Sequence, residues 1–379
     1  MNVLEWNAER RTVSWNGETV ALLPKEYALL AFLHRNAGTV LSREQLLDGV
    51  WPGEYPTDRT VDDHIYRLRR KFVPWSAGLD IETVRGLGYR LTLKKTAASG
   101  ENPLLKNDRF LKDMQGIADM YIRYGRGDAL LTLARNADMF GFDLQPHQRM
   151  LLRCMEGDIP ALLDEQTAPF AERAFFLLLL HQYLDPAGNR PYVEQAIASE
   201  CLFPLWHIEL TQMLMPSLYM DWDDDERAAA ELDLLDERVR RLDWTGIVPL
   251  AANLRLELAL LTGSPEAEAL LKQAKEKLEQ YPYARERGQL RVLEGLWAEE
   301  TGRRLEAGRL IDEGLDLLGE TKFLPHVLNG YMTLLHTAER RGYGRLRKLY
   351  LPRAERLHKA YGLNEAKAEM ERQLKARLS

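Results

Sequence analysis

A chain of 379 residues is longer than one ordinary hydrophobic core supports, so two or three domains are expected. With 51 Lys and Arg against 57 Asp and Glu, the formal charge of −6 excludes a molecule that is basic throughout; residues 1 to 95 hold 14 basic against 12 acidic groups, net +2, and the rest is net −8. The longest uninterrupted apolar run, Ala174 to Leu180, is seven residues where a membrane span needs about 20, and the N-terminus has no apolar run of signal-peptide length, so a cytoplasmic protein with no membrane partner is expected.

The first 22 residues alternate in short bursts, VLEW, TVSW and TVAL, broken at Asn7 to Arg11 and at Asn16-Gly17. Asn-Gly between alternating runs favours a hairpin because both residues tolerate positive φ, so a small antiparallel sheet is expected. Pro24 suits the first turn of a helix in which Tyr27, Leu30, Ala31 and Leu33-His34 carry the apolar spacing, up to Asn36-Ala-Gly38. Ser42 to Gln45 has the form of a capping box and opens a second helix that ends at Trp51-Pro52.

After the Pro-rich stretch PGEYPTD comes RTVDDHIYRLRRKF, residues 59 to 72. As a helix it places Val61, Ile65, Leu68 and Phe72 on a packing face and Thr60, Asp63, His64, Arg67 and Lys71 on the other. Arg59, Arg67, Arg69, Arg70 and Lys71 supply five cations in thirteen positions, and Arg suits bidentate contact with phosphate or guanine. Two readings fit: a recognition helix for a DNA major groove, or a solvated charged face. Asp62 and Asp63 suit the positive end of the helix dipole. Residues 81 to 84 and 89 to 93 then read as two strands joined by Arg85-Gly-Leu-Gly88, a thin hairpin from which Arg85 projects, able to enter a minor groove.

The order sheet, three helices, hairpin, with LSREQLLDGVW, RTVDDHIYRLRRKF and TVRGLGYRL, resembles the OmpR/PhoB-type winged helix-turn-helix domain of bacterial transcription regulators over about residues 1 to 94. The resemblance implies base-edge contacts for Arg67 and for His64 or Asp63. It also implies backbone contacts for Arg59, Arg69, Thr83 and Tyr89, and a minor-groove contact for Arg85. Thr60, Tyr66, Arg70 and Lys71 complete the candidate DNA-binding set. Asp63 stands where the family more often has an aliphatic residue, and Tyr66 occupies a variable position. Asp63 reads equally as an acceptor for cytosine N4 or as a helix-dipole partner. The family usually carries a receiver domain ahead of the winged helix, and a chain starting at the winged helix is expected to be controlled by its C-terminal part.

Residues 96 to 103, TAASGENP, read as a linker. From 104 to 379 helical stretches alternate with short breaks and almost no strand signal, an all-α chain of helical hairpins. Gly295, Ala298, Gly302, Ala307, Ile311 and Gly314 echo Leu256, Ala259, Gly263, Ala267, Leu271 and Ala274 at a 39-residue step. This resembles a degenerate tetratricopeptide repeat, so the fold expected is multidomain: a small α+β winged helix followed by a tetratricopeptide-like solenoid. Asp221 to Glu226 has the Asp spacing of a calcium loop without its Gly or its bidentate Glu, and reads as a helix N-terminus. The histidines lack metal-ligand spacing, Cys154 and Cys201 read as buried thiols, and no phosphate loop or catalytic constellation appears, so neither a cofactor nor an enzyme is expected. Phe203 to Trp222, rich in Met and aromatics, fits either core or an effector pocket.

These features point to a one-component transcription regulator: a winged helix reading a promoter, and helical repeats sensing an effector or joining chains. Its implied partners are double-stranded DNA, RNA polymerase, a small-molecule, peptide or protein effector, and a second copy as homodimer. The alternative is a scaffold whose repeats bind a partner protein that the winged helix locates on DNA.

Overall fold

A computed structural model describes residues 4–7, 10–15, 18–52, 57–75, 79–84, 87–93, 107–140, 144–242 and 245–378. The chain divides into two compact units, Met1–Lys106 and Asn107–Ser379. The expected linker at 96 to 103 and the Asn16-Gly17 turn lie outside the described residues.

In the first unit β1 (Glu5–Asn7), β2 (Thr12–Trp15) and β3 (Glu18–Ala21) form an antiparallel sheet in that order, with Val13 and Trp15 buried and Ser14 between them facing Thr19. Helix α1 (Pro24–Arg35) opens on Pro24 and buries Leu29, Leu30 and Leu33. Helix α2 (Arg43–Val50) has the expected capping box: Ser42 Oγ accepts from the Gln45 N–H at 3.1 Å and Gln45 Oε1 from the Ser42 N–H at 2.9 Å. Helix α3 (Asp58–Lys71) lays Val61, Ile65 and Leu68 against α1 and α2, each no more than 1% exposed. Strands β4 (Leu79–Val84) and β5 (Gly88–Leu93) pair antiparallel, from Leu79 opposite Leu93 to Val84 opposite Gly88.

One pairing has no counterpart in the local sequence pattern. Leu41, just before α2, exchanges both backbone hydrogen bonds with Tyr89 at 2.9 Å, and the Gly38 N–H donates to Leu91 O, so the hairpin is tied to the α1–α2 connection. Gly88 is required there: its φ is +139°, and a Cβ would lie 2.0 Å from Leu41 O.

The described residues of the second unit are helical. The expected small-residue contacts are present in the hairpin Ala284–Glu300/Arg304–Glu320, where a Cβ on Gly295 would meet Ile311 Cγ1 at 2.5 Å and one on Gly314 would meet Val292 N at 2.7 Å. In the echoing hairpin, Val248–Thr262/Ala267–Gln280, Leu256, Ala259, Ala267, Leu271 and Ala274 are buried and Gly263 ends the first helix at φ +70°. Thr245–Thr262 has the length and composition of a membrane span, at mean hydropathy 1.2. Half of that stretch is buried, and Leu256, Ala259 and Leu260 pack with Leu290, Leu293 and Leu334, as in a core helix. Asp221 to Glu226 is no calcium loop: a helix ends at Asp221, the next begins at Asp225, and Asp225 takes a bidentate bond from Arg340 at 2.8 and 2.7 Å.

Candidate nucleic-acid interface

Helix α3 turns one stripe out of the first unit. Arg59, Asp63, Tyr66, Arg67 and Arg70, spaced as successive turns of one face, are all exposed, Tyr66 at 61%. Arg59, Arg67 and Arg70 make no ion pair with any described residue, and Arg70 lies over the Tyr66 ring, 6.0 Å from its centroid. The stripe is therefore a row of available guanidinium groups with one carboxylate and one aromatic ring among them.

Beside this stripe, several candidate residues are engaged within the unit. Thr60 is half-buried and its carbonyl faces His64 Nδ1 at 2.8 Å, which makes that nitrogen the donor; the His64 ring packs edge-on to Trp51 at 5.2 Å. Arg69 donates through Nε to Ile81 O at 2.7 Å and through Nη2 to Ile81 O and to Thr83 Oγ1, the latter at 2.8 Å. It pins α3 to the hairpin and leaves Thr83 exposed beside it. Lys71 Nζ donates to Glu26 Oε2 at 2.6 Å and to Ala21 O at 3.0 Å. Burial alone would raise the Glu26 carboxyl, but the Lys71 ammonium and the Leu23 N–H hold it below the usual range.

Tyr89 is 5% exposed, and its hydroxyl donates to Asp62 Oδ1 at 2.6 Å. Arg43 Nε donates to the same oxygen at 2.8 Å, and Arg43 Nη2 lies 3.3 Å from the Tyr89 hydroxyl. Burial and then the Asp62 carboxylate push the Tyr89 hydroxyl up; burial of Asp62 is outweighed by its two donors, which hold it down. This Arg43–Asp62–Tyr89 cluster joins the starts of α2 and α3 to β5, so the stripe and the hairpin are held by one hydrogen-bonded node. No local pattern marks Arg43, which directly follows the Ser42 cap, and Asp62 in the first turns of α3 reads from sequence only as a helix-dipole partner. Arg85, the expected minor-groove residue, lies outside the described residues.

Residues 17–91 match the family model described as "Transcriptional regulatory protein, C terminal". They are an OmpR/PhoB-type winged-helix DNA-binding domain. The chain is 48% identical over 82 residues to the transcriptional regulatory protein VxrB of Vibrio cholerae, covering 21% of this chain and 32% of that protein. It is 48% identical over 87 residues to the sensory transduction protein RegX3 of Mycobacterium tuberculosis, covering 22% and 38%. A solved DNA-binding domain of Bacillus subtilis CssR is 38% identical, covering 24% of this chain and 99% of that one, with a TM-score of 0.21. The chain thus spans about a third of the length of those two curated relatives.

In the second unit, His181, Asp185 and Glu371 bring three potential ligand atoms within 4.8 Å. Lys367 Nζ lies 2.9 Å from Asp185 and 3.5 Å from Glu371, and the His181 Nδ1 faces Asn189 Oδ1 at 2.9 Å, so the group is an internally satisfied ion-pair network. Cys154 is buried, and burial pushes its thiol up to about 12; Cys201, expected to be buried, is only half-buried.

Proposed function

We propose that the chain is a sequence-specific DNA-binding transcription regulator in which α3 enters the major groove. The observation that carries this reading is the exposed Arg59–Asp63–Tyr66–Arg67–Arg70 stripe, whose guanidinium groups pair with no carboxylate among the described residues. Arg67, midway along it, reads a base edge; Arg59 and Arg70 meet phosphates; Asp63 accepts from cytosine N4. Arg69, Lys71 and Tyr89 act by holding the helix and hairpin in register, and Arg85 is assigned to the minor groove by resemblance alone. The second unit takes an effector, and pairs two chains so that two winged helices meet adjacent half-sites. Genome-wide binding of the tagged full chain, followed by footprinting of the best site, tests the reading. A protected pair of half-sites, and affinity that falls steeply with salt, is the expected outcome. Binding with no preferred sequence would overturn it.

A further inference from the structure

The second unit holds a partly open cavity of about 510 Å³, within the range of small-molecule sites. Much of its wall is aromatic: the Trp206 ring stacks on Phe175 at 5.1 Å and meets Phe176 edge-on at 5.0 Å. Three polar atoms of wall residues, Trp206 Nε1, Gln148 Nε2 and Glu286 Oε2, have no hydrogen-bond partner among the described residues, and their residues are 6%, 5% and 1% exposed. Such groups cost free energy unless something meets them; the three atoms belong to wall residues but have almost no accessible surface themselves, so a guest meets them as their side chains turn toward the cavity.

The charge of the wall narrows what that guest is. The Arg285 guanidinium is already paired with Glu286, and two further acidic side chains, Asp119 and Glu209, stand on the same wall, Glu209 pushed up by burial. Burial lowers the His147 imidazole and holds that of His326 well below its usual value, which favours their neutral forms. An anion entering here would compete with Glu286 for the Arg285 guanidinium, with Asp119 and Glu209 on the same wall. A neutral or singly cationic guest would not, and its N–H has Glu286 Oε2 to meet.

The neighbouring helix is shaped around the space. Leu210–Leu214 is a π-helical turn, one residue short of Pro216, whose ring would crowd the Gln212 carbonyl of a regular helix. The widened turn supplies Met213 and Leu214 to the wall beside Glu209.

From this geometry we infer that the cavity binds a small aromatic molecule, neutral or singly cationic, that offers an N–H to Glu286 and a hydrogen-bond acceptor to Trp206 and Gln148. The inference rests on the effector reading above and gives that effector its place and chemistry.

The probe is 1-aminoanthracene, a neutral fluorescent aromatic amine, compared with the anionic 8-anilinonaphthalene-1-sulfonate on the full chain. Saturable one-to-one binding of the amine is expected, with the sulfonate about tenfold weaker or more, a difference of one unfavourable charge contact. Trp206→Phe, which keeps the ring and removes the N–H, should weaken a probe with an acceptor by about fivefold to tenfold, the worth of one hydrogen bond; quinolin-6-amine, which carries a ring nitrogen, is that probe. Ser217→Phe fills the cavity and should abolish binding, whereas Trp222→Phe, which removes another unpartnered buried indole N–H away from the cavity, should change nothing. Hydrogen exchange of the unmutated chain with saturating 1-aminoanthracene should slow at 204 to 217 and 284 to 289, a readout that needs no variant. Absence of saturable binding, protection elsewhere, or equal affinity for the sulfonate overturns the inference and leaves the DNA-binding reading standing. Binding at this site with operator affinity unchanged supports the site and overturns the effector role.

Discussion

Lys71 Nζ lies 2.6 Å from Glu26 Oε2, joining the last turn of the exposed helix to the first turn of α1. Glu26 is 1% exposed, so removing the ammonium leaves a buried carboxylate with only the Leu23 N–H. Lys71→Met is expected to destabilise the first unit by about 2 to 4 kcal/mol, read by native-state hydrogen exchange of α1 and α3 amides. Because the Glu26 carboxyl is held down in the fold, its contribution is present above its unfolded value and lost as pH falls through the folded one; the wild type should therefore lose protection in acid more steeply than Lys71→Met. A variant as protected as the wild type would show the pair to be incidental.

The outward residues should behave in the opposite way. Arg67→Ala removes an exposed side chain, so folding is expected to stay within about 0.5 kcal/mol. Discrimination among operator variants should fall by about 1 to 3 kcal/mol if the contact is bidentate. Unchanged relative affinities across those variants would take Arg67 out of the readout.

Periodicity encodes which residues share a face, and that much of the fold is legible in the sequence. Val61, Ile65, Leu68 and Phe72 announced the packing face of α3 because burial repeats with the helix turn, and the Ser42–Gln45 box was legible because capping is local. Helical spacing alone puts Lys71 on the outward side, yet it is one residue step, about 100°, from Arg70, far enough round the helix to reach Glu26. The Leu41–Tyr89 pairing left no local trace, since a single bridge between distant segments needs no alternation. The aromatic segment from Phe203 to Trp222 reads from sequence as core or as an effector pocket; Leu210 and Leu218 lie in the core and Trp206 lines a cavity. Its partners across the cavity, Gln148 and Glu286, come from helices far away in sequence.

Gly88→Ala tests the node between hairpin and helices. The added Cβ would fall 2.0 Å from Leu41 O at a φ of +139°, so the Leu41–Tyr89 hydrogen bonds cannot both survive. A loss of about 2 to 4 kcal/mol is expected in exchange protection of β5, with operator affinity falling alongside. Retained protection at Tyr89 and Leu91 would mean that the hairpin tolerates another register.

The last prediction concerns pH. Glu257 is 4% exposed in the helix Val248–Thr262; burial pushes its carboxyl up to about 7, against the hydrogen bond from Thr333 Oγ1 at 2.7 Å. Asp221 is pushed up to about 8 by burial and by Glu257 itself. An unfolded Glu ionises near 4.5, so between that value and 7 the folded chain holds a proton that the unfolded chain releases. The stabilisation from this group is full below 4.5, declines as pH rises through 7 and then stays lost. Glu257→Gln keeps an acceptor for Thr333 and cannot ionise, so it should match the wild type near pH 5 and exceed it at pH 8.5 by on the order of 2 to 3 kcal/mol, or several degrees in Tm. Relieved of its neighbour's charge, Asp221 should also ionise at lower pH in the variant. Melting curves of both chains across this range decide the matter: a Tm difference that does not grow with pH would show that Glu257 ionises in the fold much as it does in water.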